Sequence, residues 1–160
     1  MKILVAFYSK TGNTRRAGED IAKGLNADID EIIDLKDRKG IVGWLISGRD
    51  EMKGYQTEIR TNLDPSQYDV VIVGTPVWAW GSTPAARAYV AKFKDKFKKV
   101  AVFSTSGSTP PEKPRLVLET ILDKKVVAYT GWTAEEIKNK KTYQEKLGSF
   151  IKKLKDNFDS

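Results

Sequence analysis

Four short apolar runs constrain this chain more than any other feature. The first, Lys2-Ile3-Leu4-Val5-Ala6-Phe7-Tyr8, is nearly unbroken, and Asp69-Val70-Val71-Ile72-Val73-Gly74, Val100-Ala101-Val102-Phe103-Ser104 and Val126-Val127-Ala128-Tyr129 repeat it. Apolar runs without polar alternation predict strands buried on both faces, the condition of a parallel sheet. Ile29–Leu35 is the second strand in chain order, and its acidic residues place it at an exposed edge. Helical spacing fills the intervals. Ala17, Ile21 and Leu25 mark a helix over Asn13–Leu25. Ser82-Thr83-Pro84 puts hydroxyl caps before a proline that needs no N–H, opening a helix to about Lys96. Thr109-Pro110-Pro111-Glu112 has capping-box spacing, so a helix to about Leu122 begins there or at Pro114. Thr133-Ala134-Glu135-Glu136 is a second capping box, and Tyr143, Leu147, Phe150, Ile151, Leu154 and Phe158 form the docking face of the last helix.

Five βα units in succession predict an α/β domain, a parallel sheet covered by helices on both faces. A chain of 160 residues is the size of one domain, and neither a linker nor a repeat divides residues 1–160. The stretch Lys36–Asn62 is long for one connection. Ile41, Trp44, Leu45 and Met52 predict a helix over about Ile41–Lys53, which Gly43 and Gly48 weaken. Covering the sheet, closing over a site and forming a dimer surface all remain open to it.

The sequence has no cysteine and no histidine. Thiol chemistry, disulfides, Cys/His zinc sites and imidazole-based triads are therefore excluded. The carboxylates show no metal-loop spacing, so any chemistry is expected from a bound cofactor. No apolar run approaches the roughly 20 residues that cross a bilayer. The N-terminal run is too short for a signal segment and lacks a cleavage site, which makes the cytoplasm the expected location. The net charge is +7, with lysines concentrated in Lys92–Lys99 and from Lys138 to Lys155. Such stretches are solvated faces or docking surfaces for anionic partners. No nucleic-acid module accompanies them, and neither nucleic acid nor a membrane is expected as a partner.

Three loops carry the chemistry. Ser9-Lys10-Thr11-Gly12-Asn13-Thr14 joins a buried strand to a helix start, where unpaired N–H groups and the helix dipole favour an anion. Ser9, Thr11 and Thr14 add hydroxyls, Asn13 an amide, and Gly12 lets the backbone curl. A phosphate with about two negative charges fits this set; a capped strand-to-helix turn is the plainer alternative. The loop is neither a Walker loop nor the three-glycine dinucleotide fingerprint. Thr75-Pro76-Val77-Trp78-Ala79-Trp80-Gly81-Ser82 follows the third strand. Its two tryptophans either pack beneath the next helix or offer an indole face to a flat ligand. Ser104-Thr105-Ser106-Gly107-Ser108 follows the fourth strand, with small side chains and free backbone groups for a polar edge, or as a plain loop. Ligands of open α/β sheets sit beyond the carboxyl ends of the strands, where the strand order reverses. In the order 2-1-3-4-5 that point lies between strands 1 and 3, so one ligand touches the first two loops.

In these motifs the chain resembles the flavodoxin family, and the resemblance covers its whole length. It implies a flavodoxin-like three-layer sandwich of the short-chain type, with FMN as cofactor. By that resemblance Ser9, Lys10, Thr11, Gly12, Asn13 and Thr14 hold the phosphate. Trp78 or Trp80 stacks on or flanks the flavin, Pro76, Val77 and Ala79 shape that wall, and Thr105, Ser106 and Gly107 line the pyrimidine edge. A carbonyl of Ala79 or Gly81 accepts the hydrogen bond of the reduced ring nitrogen. The implied role is an electron carrier between redox proteins, with no catalytic residue of its own. An FMN-dependent NAD(P)H or quinone oxidoreductase on the same fold is the alternative, and a phosphate-responsive module without flavin is a third. The chain departs from the acidic flavodoxins in its charge, so the expected partner is an acidic redox protein, and the low potential is expected to be less negative.

Overall fold

The computed structural model describes residues 1–36, 57–78, 81–108 and 112–158. The helix expected over Ile41–Lys53 and the capping box that begins at Thr109 lie outside the described residues. The main sheet has five parallel strands: β1 (Ile3–Phe7), β2 (Asp28–Glu31), β5 (Val70–Pro76), β6 (Lys99–Ser106) and β7 (Tyr129–Thr133), in the order β2-β1-β5-β6-β7. This is the expected order 2-1-3-4-5, counting the strands of this sheet alone. A second sheet pairs β3 (Ile33–Asp34) antiparallel with β4 (Ile59–Arg60).

Period-two alternation along β1 builds the two layers of core. Ile3, Val5 and Phe7 face one side, with Ile21 and Leu25 of α1 (Asn13–Leu25) and Leu147, Phe150 and Leu154 of α5 (Lys140–Phe158). Leu4 and Ala6 face the other side, with Tyr89 and Phe93 of α2 (Pro84–Phe93) and Leu118 and Leu122 of α3 (Lys113–Leu122). Thr83 caps α2 by accepting Ala86 N–H at 3.3 Å. Thr133 opens the short α4 (Ala134–Lys138) with both bonds of the capping box in place.

Two strands differ from their expected bounds. The run Ile29–Leu35 is two strands, because the chain leaves the main sheet after Glu31 and pairs elsewhere from Ile33. Ile32 N–H makes the last bond to β1, to Phe7 O at 2.7 Å, and the buried Asp30 carboxylate holds the returning chain, accepting the Asn62 N–H at 3.0 and 3.1 Å and the Leu63 N–H at 2.9 Å. The fifth strand begins at Tyr129, after the apolar Val126–Ala128. There the chain already meets β6 but out of regular register, with Val127 N–H donating to Val100 O at 2.8 Å and Val102 N–H to Ala128 O at 3.0 Å, while Val126 N–H donates to Glu119 Oε1 at 3.0 Å and Trp132 supplies the buried bulk further along.

Candidate functional site

The C-terminal ends of β1, β5 and β6 bring three loops together. Tyr8 N–H donates to Gly74 O at 3.1 Å, carrying the β1–β5 ladder into the first loop. Ser9 Oγ accepts the N–H groups of Gly12 and Arg15, each at 3.2 Å, which leaves its own proton to donate. Gly12 caps α1 at φ 102°, a left-handed conformation costly for residues with a Cβ. Its carbonyl accepts Arg16 N–H at 2.9 Å. Among the described residues, no acceptor meets the Asn13 and Thr14 N–H groups at this helix end. The loop is therefore a turn closed upon itself with two amides left over, the arrangement that favours an anion. Lys10 and Thr11 are exposed and Asn13 is half-buried.

Thr14 and Thr105 lie on different loops, yet their hydroxyls meet at 2.8 Å, with the residues 2% and 4% exposed. The Thr105 carbonyl accepts Val77 N–H at 2.8 Å. Thr105 thus ties the helix start to the loop after β5. Ser106 Oγ donates to Ser108 O at 3.0 Å, and Gly107 is exposed.

In the middle loop Pro76, Val77 and Trp78 are half-buried. Ala79 and Trp80 lie outside the described residues. Trp78 and Gly81 exchange two backbone hydrogen bonds, at 3.0 and 2.9 Å, so the Gly81 carbonyl carries the Trp78 N–H. The indole meets Tyr8 edge-on, with centroids 5.5 Å apart and planes at 86°, and Lys10 Nζ stands 5.3 Å from its centroid. The loop is held from behind: Thr75 Oγ1 accepts Thr83 N–H at 3.1 Å, and the buried Arg87 donates to Ser82 O at 2.9 Å. Tyr8 and Arg87 were not among the residues expected here. Tyr8 ends an apolar run that reads as core, and no local signal marks Arg87 as a brace.

Beyond the third of these loops, Tyr129 OH and Ser104 Oγ lie 2.9 Å apart. Burial pushes the Tyr129 phenol above its ordinary value. Groups of three or more carboxylates able to hold a metal are absent among the described residues.

A sequence model of the family described as flavodoxin matches residues 2–154. The chain belongs to the flavodoxin family. Solved structures of similar fold include a flavoprotein in complex with FMN from Lactobacillus acidophilus NCFM. It shares 23% identity over 86% of this chain and 97% of that one, with a TM-score of 0.71. The Trp repressor binding protein from Bacillus subtilis shares 14% identity over 94% and 99%, at a TM-score of 0.59. Oxidised flavodoxin 1 from Bacillus cereus shares 22% identity over 95% and 98%, at 0.51. No protein of curated function matches the sequence significantly. Within this flavodoxin-family chain, no described helix is long and apolar enough to cross a membrane.

Proposed function

We propose that this flavodoxin-family protein binds FMN at the three loops and carries electrons between redox proteins. The observation that carries the reading is the convergence of an anion seat and an indole wall, joined through Thr105. The residues present fit the group. The Asn13 and Thr14 amides and the hydroxyl protons of Ser9 and Thr14 supply donors for a phosphate, and the left-handed Gly12 turn leaves open space where a side chain would stand. Trp78 offers a half-buried indole to a flat ring, with Tyr8 fixing its plane. The FMN-bearing flavoprotein from Lactobacillus acidophilus has the same fold.

When bound, FMN supplies the redox chemistry. The protein's part is to hold the phosphate, orient the ring against Trp78 and set the charge around it. The loop residues Ser9–Thr14, Pro76–Trp78 and Thr105–Ser108 include one charged side chain, Lys10, and no carboxylate. A partner presenting carboxylates at this edge is favoured on charge, and its binding is expected to weaken as salt is added.

The test is an absorbance spectrum of the protein with added FMN, followed by stepwise anaerobic reduction. Reduction in two resolved one-electron steps, with NADH and NADPH inert as direct donors, supports the carrier. A single two-electron step driven by NADH or NADPH alone reassigns the protein as an oxidoreductase on the same scaffold. A protein that takes up no FMN overturns both.

A further inference from the structure

The pairing of Thr14 with Thr105 assigns Thr105 a part beyond lining a ring. Two hydroxyls 2.8 Å apart share one proton: one donates, and the other accepts while keeping its own proton for a third group. Among the described residues, neither hydroxyl has another hydrogen-bond partner. Thr14 stands at the start of α1, where its N–H and that of Asn13 are unmatched. An anion seated there accepts and cannot donate, so it draws the Thr14 proton. That choice leaves Thr14 Oγ1 as an acceptor within the pair, and the proton it accepts must come from Thr105.

We propose that Thr105 is a positioning residue of the phosphate seat: its hydroxyl donates to Thr14 Oγ1 and so aims the Thr14 proton at the phosphate. The inference deepens the FMN reading and rests on it for the identity of the anion. It also separates two tasks within one residue. The Thr105 backbone holds the aromatic loop through Val77 N–H, whereas its side chain serves the opposite end of the ligand. In the reverse orientation Thr14 donates to Thr105 and the seat loses a donor, so Thr105 selects between a full cradle and a depleted one.

The decisive variant is Thr105→Val, which keeps the shape and removes the proton, with Thr105→Ser as the variant that keeps a hydroxyl. Dissociation constants are measured for FMN and for riboflavin, and inorganic phosphate is titrated into the flavin-free protein while the Thr14 amide is followed by NMR. Thr105→Val is expected to weaken FMN roughly 3- to 10-fold, from the loss of one neutral hydrogen bond. Riboflavin binding stays unchanged, inorganic phosphate weakens in parallel with FMN, and Thr105→Ser lies close to the parent. Equal losses for FMN and riboflavin overturn the assignment, since they mean that Thr105 acts on the ring side or on the fold. No change for either flavin also overturns it. Should Thr105→Val not fold, Thr105→Ala carries the same comparison. If the parent protein takes up neither flavin, the FMN reading fails, and the phosphate titration still decides the role of Thr105. A Thr14 amide that ignores phosphate in the parent overturns that role as well.

Discussion

At the N-terminal ends of the strands, lysines and carboxylates lie paired across the surface. Lys98 meets Asp69 at 3.0 Å, Lys96 meets Asp64 at 3.5 Å, Lys124 donates to Phe97 O at 2.8 Å, and Lys2 N–H donates to Asp69 at 2.9 Å. At the C-terminal ends, the loops that meet are made of hydroxyls, glycines, an indole and the single charge of Lys10. Ion pairs flank this end as well, Arg15 with Glu31 and Lys146 with Glu136, but the three loops that meet there hold hydrogen-bonding geometry in place of charge. Net charge is thus a poor map of the proposed ligand site, because lysines at the far end are matched locally, to carboxylates or to carbonyls. Exposed pairs of that kind contribute little to stability, whereas buried hydroxyls in a fixed array are costly to remove.

Substitutions at the two ends put the contrast to the test. Thr14→Val carries the largest expected effect, an FMN affinity lower by about 10- to 100-fold, the worth of one hydrogen bond to a charged group. Isothermal titration against FMN measures it, and a loss below threefold would remove Thr14 from the seat. Gly74→Ala comes next. A Cβ there would run into the Phe103 ring, so urea unfolding is expected to show a loss of about 1–3 kcal/mol from overpacking. Stability equal to the parent would mean that the ring gives way freely. Trp78→Ala is expected to weaken FMN about tenfold through lost stacking, with riboflavin weakened equally. A loss confined to FMN would move Trp78 to the phosphate side.

Asp69→Asn, at the other end, is expected to leave FMN affinity unchanged and to show itself only through pH. The Lys2 N–H, followed by Lys98, holds the Asp69 carboxyl below its ordinary value of 3.8. A depressed folded-state value means that the contribution to stability is present above the unfolded value and drains away as pH falls through the folded one. The parent should therefore lose slightly more stability than Asp69→Asn when acidified from about pH 5 to about pH 2. Parallel curves for the two proteins would show that the pair is worth nothing measurable.

The parts legible in the sequence were those written locally. Helix α1 spans Asn13–Leu25 because Ala17, Ile21 and Leu25 share one face, and Thr133 with Glu136 closes the capping box that its spacing predicts. The alternation of elements predicts the parallel sheet, and its order 2-1-3-4-5, which brings loops to one edge, is that of the flavodoxin resemblance. What the sequence hid depends on contacts distant along the chain. The Thr14–Thr105 pair joins residues 91 apart, and nothing in either loop announces it. The fifth strand starts late because Val127 and Ala128 meet β6 out of regular register, and the bonds from Asn62 and Leu63 to the buried Asp30 carboxylate are equally invisible along the chain. The sign of the charge was plain from composition, but its placement waited on the fold.

The Asp30 carboxylate has a consequence for how this chain can be rebuilt. It receives the returning backbone at Asn62 and Leu63, while Leu35 N–H donates to Glu58 O at 3.0 Å and β3 pairs with β4. The long excursion between strands is therefore stapled at its root, and its two ends are already side by side. Closing a loop between fixed ends costs only about 0.6 kcal/mol for each doubling of its length. The bonds that fix this root join residues 30–35 to residues 57–63, so replacing the segment between them is expected to leave the register of the five-stranded sheet unchanged.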